Sequence, residues 1–135
     1  MATIRKVVEI NISPARAWDA LRDVGALHTK LCPSFVTDTK LEDGARMVTF
    51  ANGMKARELI VDVDGKARRL VWAARNERLE HHNASLQVFD IDGLASCRVV
   101  WIADVLPHAA AQIVGGLMDE GLACMRKTLA SHSGA

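Results

Sequence analysis

Hydrophobic and polar residues alternate at the start of the chain. From residue 4 to residue 12, every second side chain falls on one side, and that side is mostly apolar, as in Ile4, Val8 and Ile10. This period of two is typical of a half-buried β-strand. Ser13 and Pro14 follow, and they suit the N-cap and the first position of a helix. The pattern predicts a strand over residues 4–12, a short helix over residues 15–22 and a second short helix over residues 23–31.

Short alternating segments fill the middle of the chain. They are separated by turn sequences such as Asn52-Gly53, Asp64-Gly65 and Asp92-Gly93. Asn-Gly and Asp-Gly pairs between apolar alternations are strong signals for β-hairpins. The pattern predicts a meander of six further strands, over residues 35–41, 46–51, 55–63, 68–75, 84–91 and 96–105.

The period changes to that of a helix after Pro107. The apolar stripe of this predicted helix, over residues 108–131, consists of Ala110, Ile113, Val114, Leu117, Gly121, Met125 and Leu129. The Gly115-Gly116 pair inside it costs about 2 kcal/mol of helix propensity relative to alanine. A close approach of helix to sheet would explain the pair, and so would a kink.

A long amphipathic helix needs an apolar surface to lie on, and an antiparallel sheet with one face in water offers one. The sequence therefore predicts an α+β fold in one domain over residues 1–135. Its expected architecture is a curved, seven-stranded antiparallel sheet around a long C-terminal helix, with two short helices after the first strand.

Two segments carry a family resemblance, namely residues 8–21, VEINISPARAWDAL, and residues 97–101, CRVVW. Both resemble the START/polyketide-cyclase superfamily, whose helix-grip fold is shared with the major birch pollen allergen. Residues 8–21, VEINISPARAWDAL, are similar to that family's opening strand and "(S/A)P-x-x-(V/A)-W-x-x-(L/I)" helix. Residues 97–101, CRVVW, resemble its "T-x-V-x-W" late strand. The resemblance covers essentially the whole chain and implies a hydrophobic small molecule, such as a lipid or polyketide, bound between sheet and helix. Some members cyclise or dehydrate such a ligand.

Composition narrows the function classes. The net charge of +1 lacks the basic excess of a nucleic-acid binder. No apolar run is long enough for a signal peptide or a stable membrane insertion. The three cysteines form no C-x-x-C pair, and no His or carboxylate lies at metal-ligand spacing. We expect a cytoplasmic protein with reduced thiols, no metal and no cofactor.

Only 4% of the residues are aromatic although 50% are hydrophobic, so the core is either filled by aliphatic residues or left incompletely filled. Strand alternation predicts which residues face the space between sheet and helix. If Lys55 and Arg57 face water, Met54 and Glu58 face inward. The same reasoning turns Trp72, His82 and Trp101 inward. With the helix residue Leu117, these are the candidate ligand contacts.

Glu58 and His82 are the candidates for acid–base chemistry. A carboxylate on an apolar face has a raised pKa, and His titrates near neutral pH. The alternative for Glu58 is an ion pair with a surface or loop cation, and for His82 a solvated position at a strand end. Leu59, Val61 and Val63 fall on the solvent side of the same strand, which predicts a bulge or a partly covered outer face.

Three functions stay open at this point. The first is binding of a hydrophobic small molecule. The second is a cyclase- or dehydratase-type enzyme using Glu58 or His82. The third is an interaction module or homodimer, formed through the apolar outer residues Leu59, Val61, Val71, Val100 and Ile102.

Overall fold

The computed structural model describes residues 2–75, 77–93 and 95–131. It contains the predicted elements in the predicted order. The strands are β1 (Ala2–Ile10), β2 (Val36–Glu42), β3 (Ala45–Phe50), β4 (Lys55–Asp64), β5 (Arg69–Arg75), β6 (His81–Asp90) and β7 (Cys97–Leu106). The helices are α1 (Pro14–Arg22), a π-helical turn (Leu27–Leu31), a 3-10 turn (His108–Ala110) and α2 (Ala111–Ala130).

The seven strands form one antiparallel sheet in the order β1-β7-β6-β5-β4-β3-β2. Successive hairpins connect the strands from β2 through β7, and β1 lies at the edge of the sheet beside β7. The turns fit this meander, since Gly44 and Gly53 adopt φ values of +69° and +88° that favour glycine. The predicted α+β architecture is confirmed.

Helix α1 begins as its sequence predicts. The Ser13 side chain accepts a hydrogen bond from the backbone N–H of Arg16 at 3.3 Å, and Pro14 occupies the first turn. Trp18 and Leu21 are buried, and the helix packs on β6 and β7. This short helix therefore closes one end of the core.

Helix α2 is 20 residues long, which corresponds to about 30 Å, and it packs mainly along β1. The predicted apolar stripe is wrong at Ile113, which is 71% exposed. The residues buried on α2 are Val114, Gly115, Met118, Gly121, Leu122, Met125 and Leu129. At about 100° per residue, Ile113 points about 140° away from Met118 at the centre of this stripe.

The glycine pair in α2 has two different surroundings. A Cβ placed on Gly115 would lie 3.7 Å from Ile4 and 3.8 Å from Lys6, both on β1. One placed on Gly116 would meet nothing within 4 Å. The distances at Gly115 are those of ordinary van der Waals contact, so a methyl group would fit there as well, and close approach of helix to sheet explains neither glycine.

Strand β4 carries the predicted bulge, because its register with β5 shifts between Ile60 and Asp62. Before the shift, even-numbered residues such as Glu58 face inward. After it, Val63 lies opposite the buried Leu70. The bulge explains why a simple alternation fails along this strand. On the outer face, Val71 is buried whereas Val61 is 59% exposed.

Candidate functional site

Two tryptophans form the centre of the inner sheet face. Trp72 on β5 is buried, and Trp101 on β7 is half-buried against the core. Their ring centroids lie 6.0 Å apart with the ring planes tilted by 56°. The predicted inward orientation of both residues agrees with this geometry, and the pair presents a broad aromatic surface toward α2.

A buried ion pair lies beside Trp72. Arg46 on β3 and Glu58 on β4 are paired directly in the sheet register, and both side chains are almost fully buried. Arg46 Nε donates to Glu58 Oε1 at 2.8 Å, and Arg46 Nη1 donates to the carbonyl oxygen of Val24 at 3.3 Å. The guanidinium carbon lies 5.4 Å from the Trp72 ring centroid, within range of a cation–π contact.

The electrostatics of this pair are those of a dry site. Burial raises the pKa of the Glu58 carboxyl above its ordinary value, and the charge and hydrogen bond of Arg46 oppose that rise. The neighbouring Cys32 thiol has its pKa raised to about 12, first by burial and then by Cys124. The Cys32 thiol donates to the carbonyl oxygen of Leu27 at 3.7 Å. Cys32 is therefore a packing residue in its thiol form.

His82 lies on the inner face at the start of β6, opposite Val105 of β7. Burial lowers the pKa of its imidazole, with a smaller contribution from His81. Asn83, the next residue of β6, pairs with Ala73 of β5, so His82 lies opposite Ala74. Glu58 of β4 also pairs with Ala74, from the other side. Glu58 and His82 therefore lie in one row across the sheet. Two strand spacings, about 10 Å, separate their backbones.

Several buried polar atoms have no hydrogen-bond partner among the described residues. They are Trp72 Nε1, Trp101 Nε1, His82 Nε2, His28 Nδ1 and Thr39 Oγ1. Each buried polar atom left without a partner costs about 1–3 kcal/mol. Three of these five atoms belong to the predicted site residues, so the inner face combines apolar area with donors and acceptors that a ligand or water could satisfy.

Met54 and Leu117 are placed differently from the other predicted contacts. Met54 precedes β4 in the turn, where strand alternation no longer applies, and it lines a groove with Met47 and Arg57 on the outer face. Leu117 is half-buried at the margin of the α2 stripe, and the core cluster of the described residues does not include it. Met54 therefore lies away from the tryptophan pair, whereas Leu117 lies one helical turn before Gly121, where α2 approaches Trp101.

Helix α2 approaches the tryptophan pair at Gly121. A Cβ placed there would lie 2.9 Å from Trp101 and 3.3 Å from Phe35. Two open grooves, of about 540 and 580 Å³, flank β1 and the outer face of β3–β5. Neither groove is lined by Trp72, Trp101, Glu58 or His82. In this structure α2 therefore lies close against Trp101.

Residues 1–130 match the family of polyketide cyclases/dehydrases and lipid transport proteins. The chain belongs to this family. The match spans the sheet, both helices and every inner-face residue described above. No curated protein matches the sequence.

Several solved structures share the fold of this chain. A protein from Thermobifida fusca has 28% identity and a TM-score of 0.79, covering 99% of this chain and 94% of its own. A START superfamily protein from Mycobacterium smegmatis has 13% identity and a TM-score of 0.74, covering 98% and 97%. A norcoclaurine synthase point mutant from Thalictrum flavum, in complex with a transition-state analogue, has 18% identity and a TM-score of 0.71, covering 97% and 95%.

The sequence analysis did not identify two residues of the inner site, Arg46 and Gly121. Arg46 reads as an ordinary strand residue, and only its register opposite Glu58 reveals the ion pair. Gly121 appears in the predicted stripe, but nothing in the sequence shows that it faces Trp101. Among the described residues, no group of three or more His, Cys, Asp or Glu could hold a metal ion. No helix within the described part is long and apolar enough to cross a membrane.

Proposed function

We propose that this chain binds a hydrophobic small molecule, lipid-like or polyketide-like, between the sheet and α2. Trp72 and Trp101 would contact its apolar body, and the Arg46–Glu58 pair would meet a polar group at one end. His82 would contact the other end of a ligand that spans the row.

The observation that carries this proposal is the buried ion pair beside Trp72, together with the indole N–H groups of Trp72 and Trp101, which have no hydrogen-bond partner among the described residues. A buried ion pair stabilises a fold no better than well-packed apolar residues do, because both charges lose their hydration. The indole N–H groups add a further cost where they lack a partner. A cluster with these costs is expected where a polar ligand group completes it.

Ligand access requires α2 to move away from Trp101. The helix covers Trp101 at Gly121, and both open grooves lie outside this contact. Binding would therefore separate Gly121 from the indole ring. We expect the amide signal of Gly121 to shift together with the indole N–H signal of Trp101.

The test is an NMR titration with 1-naphthol, an apolar probe with one hydroxyl group. The indole N–H signals of Trp72 and Trp101 should shift. The signal of Trp18, a buried residue of α1, should stay in place. The double variant Arg46→Met/Glu58→Leu should bind about tenfold more weakly, a loss of about 1.4 kcal/mol. Trp18→Phe is the matched control. Equal shifts of all three indole signals, or none, would contradict the proposal.

A second candidate is acid–base catalysis on such a ligand. It is favoured by Glu58, whose pKa is raised by burial, on the same row as His82. A substrate lying between them could give a proton to one group and take one from the other. The test is cyclisation of a linear poly-β-ketone thioester. Glu58→Gln should abolish product formation while 1-naphthol still binds; product formation by this variant at the native rate would refute the role.

We also propose a cytoplasmic setting, which the free thiols Cys32, Cys97 and Cys124 support. Homodimer formation through the outer face stays a prediction. Exposed Val61 favours it, whereas Val71 and Val100 are already buried within the chain. Gel filtration that shows a monomer at all concentrations would exclude it.

A further inference from the structure

The outer face of the sheet carries a cationic groove of about 580 Å³. We call it the outer groove. It lies over β3, β4 and β5, on the side of the sheet away from α2. The lining residues are Met47, Met54, Lys55, Arg57, Arg75, Glu77 and Arg78. Four of the seven carry a positive charge and one a negative charge, although the whole chain carries only +1.

The strand register concentrates these charges. Arg57 of β4 pairs directly with Arg75 of β5, and on the other side it pairs with Met47 of β3. Lys40 of β2 continues the same row. Like charges placed directly opposite each other destabilise a sheet. The Arg57–Arg75 pair therefore costs stability unless an anion lies between them.

Glu42 neutralises part of the charge of Arg57. Arg57 Nε donates to Glu42 at 3.0 Å, and both side chains are about two-fifths exposed. A guanidinium group has five N–H donors, so this single bond leaves most of the Arg57 donors for a ligand. Arginine forks bind phosphate oxygens in pairs, with defined geometry.

We propose that the outer groove binds a small organic phosphate ester with an apolar body. Arg57 and Arg75 hold the phosphate, and Lys55 adds a third positive charge. The methionines Met47 and Met54 contact the apolar part, since their flexible thioether chains adapt to varied shapes. The volume is that of a small-molecule site. An extended nucleic acid does not fit, because Glu42 and Glu77 border the groove and the chain has no overall basic excess.

The probe is 1-naphthyl phosphate, followed by NMR on the native protein. The backbone amides of Met47, Arg57 and Arg75 should shift, and 1-naphthol at equal concentration should leave them in place. Arg75→Gln should weaken binding about tenfold. Arg69→Gln is the matched control, since Arg69 is an exposed arginine of the same strand that does not line the groove. It should stay within about twofold.

Stability provides a second measurement. Without ligand, Arg75→Gln should raise Tm by about one to three degrees, because it removes a like-charge contact. In the native protein 1-naphthyl phosphate should raise Tm, and in Arg75→Gln it should raise it less. The proposal is overturned if Arg69→Gln weakens binding as much as Arg75→Gln, or if the probe shifts only the indole signals of Trp72 and Trp101. It is also overturned if duplex DNA binds while the probe does not. Since 1-naphthol tests the inner face separately, either site can fail without the other.

Discussion

The buried ion pair allows a sharp test of what holds the inner face together. We compare Arg46→Met, Glu58→Leu and the double variant in urea denaturation, and combine them as a double-mutant cycle. Each single variant leaves the partner side chain buried without its counter-ion. We expect each to lose about 3–5 kcal/mol of unfolding free energy. The double variant removes both charges and should lie within about 1 kcal/mol of the native protein.

The magnitude follows from distance and burial. At the 2.8 Å separation of Nε and Oε1, two unit charges in an effective dielectric constant of about 20 attract by about 6 kcal/mol. The removal of both charges from water offsets most of that attraction. Deleting one partner loses the attraction but keeps the desolvation of the other. Because small domains unfold at only about 5–15 kcal/mol, either single variant should be severely destabilised.

A nearby surface pair is the control. Arg57 and Glu42 lie 3.0 Å apart, almost the same distance, but their side chains are 40% and 44% exposed. Water screens them, so the cycle Arg57→Met with Glu42→Leu should give a coupling energy below about 1 kcal/mol. The reasoning is refuted if the buried cycle also gives less than about 1 kcal/mol, or if its double variant loses the sum of the two single effects.

Two further predictions concern α2 and His82. Gly121→Ala should lower the unfolding free energy by about 1–3 kcal/mol, because the added methyl group overpacks against Trp101. Gly116→Ala should raise it by about 0.5–1 kcal/mol, because alanine has the higher helix propensity and meets no neighbour there. Thermal unfolding of both variants checks this, and equal effects would contradict it. Burial lowers the pKa of His82 in the folded state. The stability that the neutral, buried imidazole provides is therefore fully present above the unfolded pKa of about 6.5, and it is lost as the pH falls toward the lower pKa of the folded state. Denaturation between about pH 7.5 and 5.5 should show this loss, with His82→Gln flattening the slope and His108→Gln leaving it unchanged; an unchanged slope in His82→Gln would contradict it.

The sequence predicted those inner residues that lie well inside a strand. Trp72 lies three residues from both Arg69 and Arg75, and Trp101 lies three residues from Arg98, so alternation places each tryptophan on the face opposite those arginines. Met54 lies in the turn before β4, where no ladder imposes that alternation. The order of elements was predictable for the same reason, because long periodic segments and Asn-Gly turns are local signals.

The ion pair was not predictable from local pattern. A two-residue turn at Asn52-Gly53 would have placed Arg46 opposite Leu59. The observed hairpin pairs Thr49 with Lys55, and the Phe50 N–H donates to the Met54 carbonyl oxygen, so the loop is the three residues 51–53 and Arg46 lies opposite Glu58. One residue of loop length therefore decides which two side chains meet.

The predicted apolar stripe of α2 was wrong in part, and the reason is geometric. The prediction followed steps of three and four from Ile113 through Leu117, whereas the buried stripe is centred on Met118. At about 100° per residue, Leu117 lies at the margin of that stripe and Ile113 on its far side. Both sets of positions have helical spacing, and the sheet beneath the helix decides which set is buried.

We expect the Arg46–Glu58 pair to be needed for neither stability nor register. Val48 and Ala56 are buried and paired in the same hairpin, so a one-residue slip would expose apolar side chains even without the charges. If the double apolar variant keeps its stability and its outer-groove affinity for 1-naphthyl phosphate, both surfaces are held by the hydrophobic pattern alone. A selective loss of 1-naphthol binding in that variant would then leave ligand recognition as the role of the buried charges.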